Sequence, residues 1–191
     1  MIILGIDPGF SGGLVWYDSI KDEIIKMEVM PVIHSLKKKT RKVRPNDSEY
    51  GKQKTKGYVA KEPHLDIDSL NSLIMSEHFD KAFLEKVHAR PFEGVVSTFR
   101  FGTTFGAILA ILIVNKKSYE LVAASEWTKG IHSILGIKKK KLDAKEKSEL
   151  VCSKLFSGVN FVVGRSKKHD GLMDAALISY YGSINERRLM I

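Results

Sequence analysis

Residues 1–13 read Met1-Ile2-Ile3-Leu4-Gly5-Ile6-Asp7-Pro8-Gly9-Phe10-Ser11-Gly12-Gly13. Ile2, Ile3, Leu4 and Ile6 form an apolar run that predicts a buried strand. Asp7 breaks the run with a charge. Pro8 and Gly9 then end it with turn chemistry, and Gly12-Gly13 restart the chain. A carboxylate at the exit of a buried strand is costly to desolvate unless something pairs with it. Either Asp7 caps a tight turn, or it belongs to a metal or hydrogen-bonded anion site. The choice depends on whether other carboxylates converge on it.

Working outward, Gly12–Tyr17 and Glu23–Met30 predict two more strands, with Asp18–Asp22 as the hairpin turn between them. Three strands joined this tightly imply an antiparallel meander. Residues 31–64 carry little apolar periodicity and predict a mobile basic loop or flap. Asp66–Phe79 has Leu70, Leu73 and Ile74 at helical spacing, with Asp66 or Asp68 available as a cap. Lys81–Val87 predicts a strand with Glu85 inside it, and His88–Ser97 a loop. Thr98–Asn115 predicts a very apolar helix with Gly102, Gly106 and Ala110 at four-residue spacing on one face. Tyr119–Ala123 predicts a fifth strand, and Ser125 an N-cap for the helix carrying Trp127. Lys138–Phe156 predicts a basic helix, residues 157–168 a connector, and Asp170–Arg188 the last helix. The order implies an α/β domain with a mixed five-stranded sheet flanked by helices, residues 1–191 forming one domain with a basic insert at about 31–64.

The 191 residues suffice for one domain with a substantial core. Apolar residues make up 43% and mean hydropathy is −0.12, which places the chain among soluble globular proteins. The longest apolar stretch, Ala107–Val114, is too short to span a bilayer, and no leader pattern opens the chain, so no membrane partner is expected. Cys152 stands alone, which excludes an intramolecular disulfide and a cysteine-based metal cluster. A reducing, cytoplasmic setting follows as the expectation.

The net charge of +9 is unevenly placed. Residues 31–64 hold ten Lys/Arg against three Asp/Glu, and residues 138–168 hold the same numbers. The remainder of the chain is therefore acidic. Basic flanks around an acidic core favour a polyanionic partner over simple solubilisation, which predicts a more even spread.

Three carboxylate positions meet the condition set by Asp7. Glu85 lies in the strand Lys81–Val87, and Asp170 and Asp174 are four apart on one face of the last helix. Asp170 is open to reading as an N-cap, and Asp174 as a surface carboxylate, although Ala175-Ala176-Leu177-Ile178 place Asp174 at the border of a buried stripe. His169 is open to three roles: turn residue, proton carrier, or donor behind a ligand. Like charges this close repel, and divalent cations are the simple means of holding them. An all-oxygen set selects Mg²⁺ or Mn²⁺ over Zn²⁺. Two such ions about 3.5–4 Å apart serve phosphodiester hydrolysis.

Gly5-Ile6-Asp7-Pro8-Gly9 with Gly12-Gly13, Phe83-Leu84-Glu85-Lys86-Val87-His88, Phe101-Gly102 with Phe105-Gly106, and His169-Asp170-Gly171-Leu172-Met173-Asp174-Ala175-Ala176-Leu177 together resemble the RuvC family of Holliday junction resolvases, in its phage form. The match runs in order from the N-terminus to the last helix. The resemblance implies a ribonuclease-H-like fold, a homodimer, and Mg²⁺-dependent cutting of four-way DNA junctions that leaves 5′-phosphate and 3′-hydroxyl ends, in recombination, repair or phage DNA processing. It makes Asp7, Glu85 and Asp174 catalytic metal ligands, with two Mg²⁺ ions per site and Mn²⁺ able to substitute. Many members carry the remaining ligand three residues before the last acid. That position is Gly171 here, so Asp170 takes the role, with His169 as the alternative.

The same resemblance makes Gly102, Gly106 and Ala110 the dimer interface; packing of this stripe on the chain's own sheet is the other reading. The expected DNA contacts are Lys37, Lys38, Lys39, Arg41, Lys42 and Arg44 in the insert, and His88, Arg90 and Phe92 in the loop after Glu85. Lys138, Lys139, Lys140, Lys141, Lys145 and Lys147 would track the backbone. Competing functions are a broader flap, fork or Y-junction endonuclease and a non-catalytic junction-binding protein. An actin-like ATPase also opens with strand-Asp-Pro-Gly, but needs a second phosphate loop and about twice the chain.

Overall fold

A computed structural model of the chain describes residues 1–42, 55–88, 94–134, 143–164 and 168–189. The apolar run at the N-terminus forms β1 (Ile2–Asp7), with Ile3, Leu4 and Ile6 fully buried. β2 (Gly13–Asp18) and β3 (Glu23–Val29) follow as the expected antiparallel meander. β4 (Val32–Lys42) and β5 (Thr55–Leu65) come next, then α1 (Ile67–Met75), β6 (Lys81–Glu85), α2 (Val95–Val114) and β7 (Tyr119–Val122). α3 (Ala124–Ile134), α4 (Ala144–Leu155) and α5 (Asp170–Leu189) complete the order. The five-stranded sheet runs β3-β2-β1-β6-β7, with β6 parallel to β1 and β7 parallel to β6. This is the mixed sheet flanked by helices that the sequence predicts.

Period-2 alternation sorts β1 and β6 between two cores. Leu4, Ile6, Ala82 and Leu84 face Leu70 and Ile74 of α1 and Ile108, Ile111 and Leu112 of α2. Ile3 and Phe83 face the opposite core, built with Trp127 and Ile131 of α3, Val151 of α4 and the apolar face of α5. By the same parity, Gly5 lies under α5, and Asp7 and Glu85 point to the α5 side.

α5 sits unusually close to the sheet. A Cβ at Gly5 would stand 2.1 Å from the Ala175 carbonyl oxygen and 2.5 Å from the Ser179 amide nitrogen. At the N-terminal end of α5, Gly171 bridges to Gly12, and a Cβ there would lie 2.2 Å from the Ser11 carbonyl oxygen. Backbone meets backbone at both points, so no side chain can yield.

Four expectations need correction. Residues 31–64 are not a featureless loop: β4 and β5 pair antiparallel as a separate ribbon, from Val32↔Leu65 to Lys42↔Thr55. The ribbon is exposed on both faces along most of β4 and touches a core only through Leu65 at its root, so it carries no alternating apolar signal. α2 starts at Val95, three residues before the expected Thr98, because Gly94 caps it without a side chain that could mark the start. Ser125 lies inside α3. The Ala123 carbonyl accepts the Glu126 amide, and Glu126 Oε2 accepts the Ala123 amide at 2.9 Å. The basic helix begins at Ala144, behind a capping box made by Asp143 and Glu146; Lys138–Lys141 lie outside the described residues.

α2 as a whole is also long and apolar enough to cross a membrane by length and composition, which Ala107–Val114 alone did not reveal. One of its faces packs into the sheet core through Thr104, Ile108, Ile111 and Leu112.

The contact of α5 with β1 sets a stability prediction. Gly5→Ala forces β1 and α5 apart, at about 1–3 kcal/mol for an overpacked core. For a chain of this length the melting temperature should fall by about 2–4 °C per kcal/mol, measured by calorimetry.

Candidate active site

Parity and register build the site before any side chain is considered. The parallel pairing of β1 and β6 runs from Ile3↔Lys81 to Ile6↔Leu84. One rung further, at the C-terminal ends of both strands, stand Asp7 and Glu85 on the same face. α5 crosses that face, and the Gly12–Gly171 bridge fixes its first turn over the start of β2. Asp174 then comes one turn along the helix from the bridge. Asp7, Glu85 and Asp174 line one small cleft of about 160 Å³, together with Pro8, His88 and Phe101. The convergence expected from the sequence is therefore present for three of the four acids.

Each carboxylate has identifiable partners. The Gly9 amide donates to Asp7 Oδ1 at 3.2 Å, and the Gly12 amide donates to the Gly9 carbonyl at 2.8 Å, so Pro8-Gly9 turns the chain away from the cleft that Asp7 lines. Trp127 Nε1 donates to Glu85 Oε2 at 3.2 Å. The Ser148 hydroxyl donates to Asp174 Oδ1 at 3.0 Å. β1, β6 and α5 thus supply the acids, and α3 and α4 supply side chains that orient them.

Burial, reinforced by the charges of Glu85 and Asp174 and opposed by the Gly9 amide, pushes the Asp7 pKa up to about 7. Burial likewise raises Asp174 to about 6; Ser148 opposes the rise, while Glu85 and Asp170 add to it. Two acids held above the usual range beside a third carboxylate mark a site short of positive charge. A hard divalent cation fits that donor chemistry, since every donor is a carboxylate oxygen. Among the described residues no three His, Cys, Asp or Glu side chains already surround one common point.

Asp170 sits apart. It lines a wider cleft of about 520 Å³ with Glu85, Asp174, Lys129, His132 and Lys145. Its Oδ2 is ion-paired with Lys145, and this pairing raises the lysine pKa. Asp170 acts on Asp174 but is not among the groups that shift Asp7. His169 has the turn role: its Nδ1 accepts the Leu172 amide at 3.2 Å, and its carbonyl accepts the Leu172 and Met173 amides, so it caps α5. Gly171 has no room for a side chain beside Ser11 and Gly12.

The expected DNA-contacting residues divide by location. Lys37, Lys38 and Lys39 are exposed on β4, with Lys37 3.2 Å from Glu62. Arg41 and Lys42 pair with Lys56 and Thr55 on the ribbon. His88 lines the narrow cleft, and Lys145 and Lys147 the wide one. Arg44, Arg90, Phe92 and Lys138–Lys141 lie outside the described residues. Gly102, Gly106 and Ala110 are exposed on α2. A Cβ at either glycine would meet nothing within 4 Å among the described residues, so the stripe does not pack on the chain's own sheet.

Sequence reasoning missed Trp127 and Ser148 as site residues, although both carried a signal. Ser148 lies four residues before Cys152 and seven before Leu155, a hydroxyl on a stripe otherwise apolar. Trp127 lies four before Ile131, and a buried indole N–H requires an acceptor.

Comparison with protein-family models gives no match, and comparison with curated protein sequences gives no significant match. Comparison with solved structures does. Thermus thermophilus RuvC in complex with a Holliday junction substrate superposes with a TM-score of 0.52 at 12% identity, covering 98% of this chain and 96% of that one. A second structure of Thermus thermophilus RuvC gives 0.51 at 13% identity, covering 97% of each chain. The chain has the ribonuclease-H-like fold of RuvC across nearly its whole length.

The raised acids predict a pH dependence. Asp7 and Asp174 bind protons more tightly folded than unfolded, so their contribution to stability is complete below about pH 4 and is lost as pH rises through about 6–7. Thermal melts without divalent ions should show the loss across that window, and Asp7→Asn should flatten it. At pH 8, Mg²⁺ should raise the melting temperature of the wild type and leave Asp7→Asn unmoved.

Proposed function

We propose that the chain is a Mg²⁺-dependent, structure-specific DNA endonuclease that resolves four-way junctions, leaving 5′-phosphate and 3′-hydroxyl ends. The observation that carries this reading is the meeting of Asp7, Glu85 and Asp174 in one cleft at the ends of β1 and β6, in a chain whose excess positive charge lies in flanking segments. The fold shared with RuvC, solved in complex with a Holliday junction substrate, supports it.

Asp7, Glu85 and Asp174 would hold two divalent ions, with Asp170 on the side of Asp174 away from Asp7. When bound, such ions supply an activated water and charge stabilisation at the leaving 3′ oxygen. Trp127 fixes the Glu85 carboxylate and Ser148 that of Asp174, so the acids keep one geometry when the substrate arrives. His88 stands in the cleft where a scissile phosphate would pass. Lys145, balanced by Asp170, and Lys147 place cations along the wider cleft for the flanking backbone. The exposed stripe of α2 suits a second copy across a two-fold axis, with the small residues permitting close helix approach.

Three experiments test the reading. A synthetic four-way junction and a linear duplex incubated side by side with Mg²⁺ should show cutting of the junction alone. Asp7→Asn should bind the junction without cutting it, and Trp127→Phe should cut about 10–100-fold more slowly. Equal cutting of both substrates would remove junction specificity, and no cutting under Mg²⁺ or Mn²⁺ would leave a binding protein. Sedimentation velocity should give a dimer, and Gly106→Leu a monomer. Finally, Leu36 and Lys61 face each other across the ribbon, so residues 37–60 can be replaced by a short turn at that rung. The shortened protein should fold, bind junctions more weakly, and lose about 0.9 from the log–log salt slope for each phosphate contact removed.

A further inference from the structure

The β4–β5 ribbon is a two-stranded sheet with solvent on both faces over most of its length. A lone two-stranded ribbon is marginal in water, so what its faces carry bears on what they meet. Its strands hold five Lys/Arg on β4 and two on β5 against a single acid, Glu62. Glu62 is balanced by Lys37 at 3.2 Å and by Arg100 at 3.8 Å. Leu36 and Val59 are 74% and 60% exposed.

We infer that this ribbon lies in the major groove of a duplex arm of the junction, up to about one helical turn from the cut, an inference that rests on the nuclease reading above. Register decides the groove. Opposite residues and alternate residues share a face. Lys37 and Lys39 therefore project from one face with Tyr58, and Lys38 and Lys61 from the other with Leu36 and Val59. A ribbon lying on the outside of a duplex meets phosphates on one face and needs cations only there. Cations on both faces suit an element with a phosphate wall on each side. The major groove, about 12 Å wide, admits a two-stranded ribbon, and the minor groove, about 6 Å wide, does not. The major groove also presents the thymine methyl, an apolar group that suits the exposed Leu36 and Val59 and that the phosphate backbone lacks.

Position sets the reach. Asp7 pairs with Gly13, and Gly13 with Val29, so the end of β3 stands on the rung of Asp7, two strands away. The Met30 amide donates to the Gly12 carbonyl at 3.1 Å and holds the chain there just before β4. Two interstrand spacings separate the end of β3 from Asp7 by about 10 Å. The ribbon then runs eleven rungs, from Val32↔Leu65 to Lys42↔Thr55. That is about 30–35 Å of extended chain, close to one turn of B-DNA. Its middle rungs, with Lys37, Lys38 and Lys39, meet duplex only if the arm is long enough to supply it.

The test uses a four-way junction with arms of about two helical turns, bound without divalent ions so that it is not cut. One form carries glucosylated 5-hydroxymethylcytosine, which fills the major groove of the arms, and another carries netropsin on A·T tracts, which fills the minor groove. Filling the major groove should weaken the wild type to the affinity of the protein shortened over residues 37–60 and leave the shortened protein unmoved. Netropsin should move neither. Arms of about half a turn should erase the difference between the two proteins. Lys38→Gln combined with Lys39→Gln, one lysine from each face, should lower the log–log salt slope by about 0.9 per residue on long arms and leave it unchanged on short ones. This double variant keeps the ribbon intact, so the result does not depend on how the shortened protein folds. Equal losses for wild type and shortened protein on filling the major groove would overturn the inference. So would netropsin competing with the wild type alone, or an undiminished ribbon contribution on short arms. If the wild type bound the unmodified junction no better than linear duplex and cut neither with Mg²⁺, the nuclease reading itself would fail. Normal junction binding and cutting without a ribbon-dependent groove effect would remove the groove assignment alone.

Discussion

The structure depends on the contact of α5 with β1 and the turn after it, where backbone lies against backbone. Gly5 sits beneath Ala175 and Ser179, and Gly171 lies on Ser11 and Gly12. Helix and sheet ordinarily stay apart by the thickness of two side chains. Here the missing side chains bring the helix onto the sheet and set the depth and rotation of its first turns. Asp174 reaches Asp7 for that reason. The same contact leaves no room for a side chain at Gly171.

Around that contact the fold assembles an electrostatic imbalance. The cleft holds three carboxylates under partial burial, and burial together with their mutual repulsion lifts Asp7 and Asp174 well above the usual carboxylate range. The chain's own cations relieve them only in part. Lys145 opposes the rise at Asp174 but is ion-paired with Asp170, and the β4 lysines stand on a separate ribbon. Local stability is given up where an ion and a polyanion would restore it, a pattern common at functional sites.

The surfaces that read as functional are those the core does not use. The ribbon gives the hydrophobic clusters only Leu65 at its root, and α2 buries one face while leaving Val95, Phe99, Ile113 and Val114 exposed. Neither feature is needed to close the domain around its sheet. The wide and narrow clefts meet at the end of the sheet where β6 finishes, since Glu85 and Asp174 line both.

The sequence by itself determined the meander, the places of β6 and β7, the five helical segments and the identity of the converging acids. In each case a buried face repeats at period 2 or 3.6, and a charge that breaks such a pattern is visible without coordinates. It did not reveal the ribbon, because strands exposed on both faces carry no alternation. Nor did it reveal the true starts of α2 and α3, because a capping backbone carbonyl leaves no residue signature. Only the tertiary structure gave Asp170, Asp174 and His169 their separate surroundings. Asp170 and Asp174 share a helical face, but the glycine contact of α5 sets Asp174 beside Asp7, leaves Asp170 paired with Lys145, and leaves His169 capping the helix. It also brought Trp127 and Ser148 to the acids, since hydrogen bonds between residues 42 and 26 positions apart depend on packing that no local pattern encodes.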